Sequence, residues 1–118
     1  MLGATTYLYD VETRGGGFAY WPKSHLTTHK YFLEDLDQID GRFQAREGWG
    51  WREFSDRAPE EPLEFIGRAG DTIFWHNFLV HTGTINVRSE PRFAMFVRFR
   101  HERQDEIKYD VPADLWKY

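Results

Sequence analysis

The alternation of apolar and polar positions predicts strands along most of the chain. Thr5–Val11 is rich in β-branched and aromatic residues and is followed, after a run of three glycines, by the similar segment Phe18–Trp21. Two such segments around a glycine turn predict a β-hairpin. Three further strands are predicted in the second half of the chain: Leu63–Arg68, Thr72–Val80 and Arg92–Arg100.

The last predicted strand has two different faces, because successive side chains of a strand point to opposite sides. One face carries Arg92 and Arg98 at its two ends, with Ala94 and Phe96 between them. The other face is wholly apolar and consists of Phe93, Met95, Val97 and Phe99.

Helical spacing is found in one segment between the predicted strands. Long side chains recur there at intervals of three and four: Leu26, Lys30, Leu33, Leu36 and Ile39. This spacing predicts a helix over Thr28–Asp40, and a short helical turn is predicted in the tail Asp110–Tyr118. The aromatic-rich segment Arg42–Pro62 is interpreted as a loop that forms either a packing cluster or part of a lid. Short strands with one helix predict a single, mainly β domain over residues 1–118.

Composition and charge exclude several classes of protein. A chain that is 41% hydrophobic and 18% aromatic can form a core. The absence of cysteine excludes disulfides, thiolate metal sites and a cysteine nucleophile. A net charge of −4 gives no basic surface for nucleic acid, and no apolar run approaches the roughly 20 residues of a membrane span. We therefore expect a cytoplasmic protein whose partner is a small molecule.

His81 and Arg92 are the first candidates for chemistry. His81 ends an apolar strand, where an imidazole either binds a metal ion or donates a hydrogen bond to a loop carbonyl. Arg92 follows eleven positions later, and an arginine inside a β-barrel needs a carboxylate or phosphate to offset its burial. If Val80 and Phe93 paired across a hairpin-like connection, both side chains would face one cavity. Such a cavity offers a metal ligand beside an anion receptor.

Two segments resemble the second half of the phytanoyl-CoA dioxygenase family. Gly15–Phe32 contains the equivalent of the family's Pro-Gly-Ser-His turn, with Lys23 in place of the glycine. Gly70–Arg92 contains the Gly-Asp turn that precedes the strand of the distal histidine. The distal histidine, an asparagine five positions later and an arginine eleven positions later are in register: His81, Asn86 and Arg92.

The resemblance implies an Fe(II)- and 2-oxoglutarate-dependent oxygenase on a double-stranded β-helix, or jelly-roll, fold. His81 would be the distal iron ligand, and Arg92 would bind the C5 carboxylate of 2-oxoglutarate. Asn86 would shape the turn and contact the co-substrate. Five aromatic side chains are candidates for the walls of the site: Phe74, Trp75, Phe96, Trp49 and Trp51. The remaining histidines near these motifs are expected to serve in packing, capping or solvent exposure: His25, His29 and His76.

One element of the family pattern is missing from the sequence. The family's other two iron ligands form a His-x-Asp or His-x-Glu motif, and none of the five histidines here is followed by a carboxylate two positions later. The expected fold is therefore a partial jelly roll, the C-terminal portion of an oxygenase domain, inactive alone and able to self-associate through exposed sheet edges. The alternative is a non-catalytic β-sandwich binding module that kept the scaffold and the arginine pocket.

Overall fold

The computed structural model describes residues 2–34, 56–107 and 110–117, and it is mainly β as predicted. The strands are β1 (Leu2–Tyr7), β2 (Phe18–Tyr20), β3 (Leu63–Phe65), β4 (Thr72–His76), β5 (His81–Gly83) and β6 (Ala94–Phe99). The helices are α1 (Ser24–Glu34) and α2 (Gln104–Ile107). The predicted aromatic loop Arg42–Pro62 lies mostly outside the described residues, as do the last six positions of the predicted helix Thr28–Asp40.

The strands form two antiparallel sheets of three strands each, in the orders β4-β1-β6 and β3-β2-β5. The predicted hairpin between the first two strands is wrong, since β1 and β2 are the central strands of different sheets. The chain between them is too long for a tight turn and makes bridges of its own, from Val11 to Gly67 and from Gly15 to Asn86. It crosses from one sheet to the other.

The predicted strand Thr72–Val80 is divided in the structure. β4 ends at His76, where the ring Nδ1 accepts a 3.0 Å hydrogen bond from the Phe78 amide and the carbonyl accepts one of 2.9 Å from the Leu79 amide. These bonds turn the chain, so that β5 begins at His81 in the second sheet. The apolar segment Thr72–Val80 therefore begins in the first sheet and ends at the second, and the turn after β4 places His81 on the far side of the space between the sheets.

The helical predictions are displaced by a few residues. α1 begins at Ser24, whose hydroxyl donates to the Trp21 carbonyl at 2.7 Å and accepts from the Val80 amide at 2.9 Å. This buried serine fixes the start of the helix four residues before the predicted one. The predicted helical turn of the tail is replaced by a single hydrogen-bonded turn between Asp114 and Lys117, and the short helix α2 precedes it.

Tyr7 joins the two sheets from the interior of the protein. Its fully buried hydroxyl accepts a hydrogen bond from the Phe18 amide and donates one to the Phe65 carbonyl, both 2.7 Å long. Its ring stacks on Phe65 with centroids 5.0 Å apart. Burial raises the pKa of Tyr7, which keeps the phenol in the protonated form that can donate. β1 is thereby held against both β2 and β3.

The outer face of the first sheet is apolar and exposed. Phe74, Met95 and Phe99 are each about half or more exposed there, and β4 and β6 are edge strands of this sheet. Self-association through sheet edges stays a prediction that this surface makes testable. Within the described ranges, no helix has the length and apolar character required to cross a lipid bilayer.

Candidate functional site

A pocket of about 470 Å³ brings His81 and Arg92 together between the two sheets. The strand pairing predicted for this arrangement is wrong, because β5 pairs with β2 and β6 pairs with β1. The two side chains meet across the space between the sheets rather than across a hairpin. The lining consists of Phe18, Trp75, Asn77, His81, Thr82, Gly83, Arg92, Phe96 and Arg98.

The imidazole of His81 is held in one orientation. Nδ1 lies 2.8 Å from the Leu79 carbonyl oxygen, which can only accept, so Nδ1 carries the proton and the neutral ring has its lone pair on Nε2. The ring packs against Trp75 with centroids 4.3 Å apart and against Phe18 at 5.2 Å. A metal-binding histidine typically has this arrangement, with the second nitrogen bonded to a carbonyl.

The indole that supports His81 is itself held by the neighbouring strand. Trp75 Nε1 donates a 3.1 Å hydrogen bond to the Thr5 hydroxyl, and both groups are buried. The same indole lies directly over Gly3, where a Cβ atom would overlap the ring. Sequence reasoning missed Gly3 and Thr5, because only the pairing of β1 with β4 shows that they face Trp75.

Arg92 presents its guanidinium group to the pocket beside β5. Both terminal nitrogens lie 3.9 Å from the point where a Cβ on Gly83 would stand, and Cζ lies 5.8 Å from the centroid of the Phe96 ring. No carboxylate within the described ranges forms an ion pair with Arg92 or with the second arginine of the pocket, Arg98. The described part of the pocket lining therefore carries two positive charges and no carboxylate.

Asn86 lies outside this pocket. Its side-chain amide donates to the Glu90 carbonyl at 2.7 Å, and its side-chain oxygen accepts from the Arg88 amide at 2.9 Å. Both ends of the amide thus shape the loop between β5 and β6. The predicted contact between Asn86 and a co-substrate stays a prediction, and the pocket-lining residues do not include it.

The predicted aromatic walls are present only in part. Trp75 and Phe96 line the pocket, and Phe18, which sequence reasoning missed, lines it with them. Phe74 is on the opposite face of the sheet and is 62% exposed, because adjacent residues of a strand point to opposite sides. The two predicted loop tryptophans, Trp49 and Trp51, lie outside the described residues.

Three further histidines form a separate group away from the pocket: His25, His29 and His76. The His76 ring lies 5.2 Å from Trp116 and 5.2 Å from Phe78. Burial lowers the pKa of His76 to about 4, and electrostatic repulsion from His25 and His29 adds to this effect. Burial also lowers the pKa of His25, and His29 Nε2 lies 2.7 Å from the Pro112 carbonyl oxygen. These side chains serve packing.

The comparison with known families agrees with this geometry. The family model described as phytanoyl-CoA dioxygenase (PhyH) matches residues 1–94. The chain belongs to the phytanoyl-CoA dioxygenase family. Searches of curated proteins and of solved structures found no match.

The phytanoyl-CoA dioxygenase family generally depends on Fe(II) and 2-oxoglutarate. Arg92 forms no ion pair with a described carboxylate, so its guanidinium group suits one carboxylate of a dicarboxylic acid. An iron site of this family needs three protein ligands, and residues 2–34, 56–107 and 110–117 contain no group of three or more His, Asp or Glu side chains placed to hold a metal. The described residues therefore fit the co-substrate and do not complete an iron site.

Proposed function

We propose that this chain forms the co-substrate side of an Fe(II)- and 2-oxoglutarate-dependent oxygenase site on a jelly-roll-type scaffold. Arg92 binds the C5 carboxylate of 2-oxoglutarate, and His81 is the distal iron ligand. The completed site hydroxylates a small organic substrate. The observation that carries the proposal is the common pocket of His81 and Arg92, in which no described carboxylate pairs with the arginine.

Arg92 suits a carboxylate both in its chemistry and in its placement. The planar guanidinium group donates two parallel hydrogen bonds to a carboxylate, which fixes the direction of the ligand as well as its position. Gly83 leaves room for the guanidinium group against the backbone of β5, two residues from His81. A ligand gripped by Arg92 therefore extends along β5 with its other end towards His81.

His81 contributes orientation and basicity. The Leu79 carbonyl accepts the Nδ1 proton, which holds the lone pair on Nε2 and strengthens it as a donor to a metal. Phe18 and Trp75, both buried, form the apolar wall of the pocket beside His81. Among the described residues no group of His, Asp and Glu side chains completes an iron site, so the role derived for these residues is to bind and orient the co-substrate.

A non-catalytic anion-binding module is the second candidate. It is favoured by the observation that the pocket lining contains one histidine and no carboxylate among the described residues. A single imidazole binds a metal weakly, because metal affinity comes from several ligands acting together. This module would bind the same carboxylate through Arg92 and catalyse no reaction.

Calorimetric titration with 2-oxoglutarate tests the role of Arg92. We expect Arg92→Gln to weaken binding by about 2–4 kcal/mol, the loss typical of a partly buried, charge-assisted pair. Arg68→Gln removes the same charge from an exposed residue outside the pocket and should leave the affinity unchanged. Equal affinities of the wild-type protein and Arg92→Gln would remove Arg92 from its proposed role.

Titration with Mn(II), as a redox-stable substitute for Fe(II), separates the two candidates. Binding that tightens when 2-oxoglutarate is present and weakens in His81→Ala supports the oxygenase site. Binding of 2-oxoglutarate with no effect on Mn(II) supports the anion-binding module.

A further inference from the structure

The pocket contains a second guanidinium group for which the proposed function has no role. Arg98 lies on β6, six residues after Arg92, which precedes the strand, so the two Cα atoms are up to about 20 Å apart. Arg98 is paired across the sheet with Gly3, and Gly3 is paired with Trp75. Arg98 therefore stands at the level of the indole that touches His81, whereas Arg92 stands beside Gly83.

The charges of the pocket are not balanced. Its lining contains two arginines and no carboxylate, and no ion pair within the described ranges involves either guanidinium group. Arg92 is half-buried and Arg98 is exposed, and since no carboxylate of the described lining offsets either charge, each would gain from an anion. If Arg92 binds one molecule of 2-oxoglutarate and the ligand extends towards His81, Arg98 still has no anion beside it.

The surface next to Arg98 is flat and apolar. Because Gly3 has no side chain, the Trp75 indole lies over it and extends from β4 across β1, the strand next to β6. Phe96, two residues before Arg98, also lines the pocket. A ligand whose charged end meets Arg98 would place its body on these rings and reach towards His81.

We propose that Arg98 binds a carboxylate of the primary substrate, and that this substrate is a small acid with an apolar body. The proposal rests on the proposed function, since it takes Arg92 to be occupied by 2-oxoglutarate. A single guanidinium fork matches one planar carboxylate, and the aromatic rings beside it match an apolar body. Arg98 would then select anionic substrates and would place the rest of the molecule near His81.

Competitive binding of a matched pair of probes tests this selection. Phenylacetate and phenylacetamide have nearly the same shape and differ in charge. At low ionic strength and with saturating 2-oxoglutarate, we expect the wild-type protein to bind phenylacetate about three- to tenfold more tightly, a modest factor because Arg98 is exposed. Calorimetry or ligand-observed NMR measures both affinities.

Variants of the second arginine attribute the preference to its side chain. Arg98→Gln should bind the two probes equally and retain the wild-type affinity for 2-oxoglutarate. Arg98→Lys should retain part of the preference, because it keeps the charge and loses the fork. The charge-matched control Arg68→Gln should keep the whole preference.

The possible outcomes separate this proposal from the proposed function. Equal binding of the two probes by the wild-type protein, or an undiminished preference in Arg98→Gln, overturns the role of Arg98. If 2-oxoglutarate does not bind while the preference depends on Arg98, the co-substrate proposal fails and the carboxylate site at Arg98 stands.

Discussion

Trp75 and His76 are adjacent in β4, yet they belong to two very different surroundings. Trp75 points into the pocket and supports His81, which lies in one pocket with two arginines. His76 points to the other side of the sheet, where it packs against Phe78 and Trp116. The imidazoles on the two sides are chemically identical, but His81 lies in a pocket with two arginines and His76 lies among aromatic rings and other histidines.

The difference between the two sides shows that the neighbours of a histidine decide what it can do. His81 Nδ1 is held by a carbonyl, which directs the Nε2 lone pair away from that carbonyl. His76 Nδ1 instead accepts from the Phe78 amide, so its lone pair is used in the turn after β4. The lowered pKa values of His25 and His76 favour their neutral forms, whereas His81 lines the pocket with two arginines.

The largest expected effect is on the pocket side, from Gly3→Ala. A methyl group there would overlap the Trp75 indole, so either the ring or the strand must move. We expect a loss of about 2–3 kcal/mol in the free energy of unfolding, measured by urea denaturation, with a changed near-ultraviolet circular dichroism signal. Gly83→Ala is the matched control, because its new Cβ would meet Arg92 only at an ordinary 3.9 Å. Equal losses in the two variants would contradict this account of Trp75.

The next effect is on the other side of the sheet and depends on pH. The pKa of His76 is about 4 in the folded protein and about 6.5 in the unfolded chain, so the unfolded chain binds more protons between these values. The stabilising contribution of the neutral ring is complete above pH 6.5 and is lost as the pH falls towards 4. We expect a loss of about 1–2 kcal/mol, since the half-exposed ring keeps part of its hydration.

His76→Asn isolates this contribution from that of the carboxylates. An asparagine side chain can accept from the amide two residues later, as His76 Nδ1 does, and it does not titrate. Denaturation curves at pH 7 and pH 4.5 should therefore show a smaller decrease in stability for His76→Asn than for the wild-type protein. Equal decreases would show that His76 titrates normally in the folded state.

The smallest effect concerns the turn that leads into α1, the helix of His25 and His29. Lys23 has a φ of 61°, a left-handed conformation that is unfavourable for residues with a side chain. Lys23→Gly should raise the free energy of unfolding by about 0.5–1 kcal/mol. Lys23→Ala removes the exposed ion pair with Glu60 and keeps the unfavourable φ, so it should not stabilise the protein. If both variants had a higher free energy of unfolding than the wild-type protein, the effect would come from loss of the ion pair rather than from the backbone conformation.

The sequence predicted the local elements of the fold better than their pairing. Alternation indicated five of the six described strands, because a strand with one buried face shows its period in the residues, but it placed β1 three residues too late and missed β5. It placed β1 and β2 in one hairpin, although each is the central strand of its own sheet. Pairing depends on contacts between residues that are distant along the chain, and periodicity contains no information about them.

The same distinction holds for the candidate site. The spacing from His81 to Arg92 pointed to two residues that do line one pocket. The alternation that begins at Arg92 also gave a signal for Arg98 as a residue of the same face. Nothing in the sequence indicated Gly3 and Thr5, since their contribution depends on the indole that β4 places against β1.

Tyr7 has a consequence for the dimensions of the cleft. Its phenol bonds to the strand pair β2–β3 from a position on β1, and β1 is paired with the strand that follows Arg92. The bonds of this hydroxyl therefore connect the sheet that contains β6 to the sheet that contains β5 from a position outside the pocket lining. We expect this link to limit changes in the distance between the two sheets, and with it changes in the width of the pocket between them.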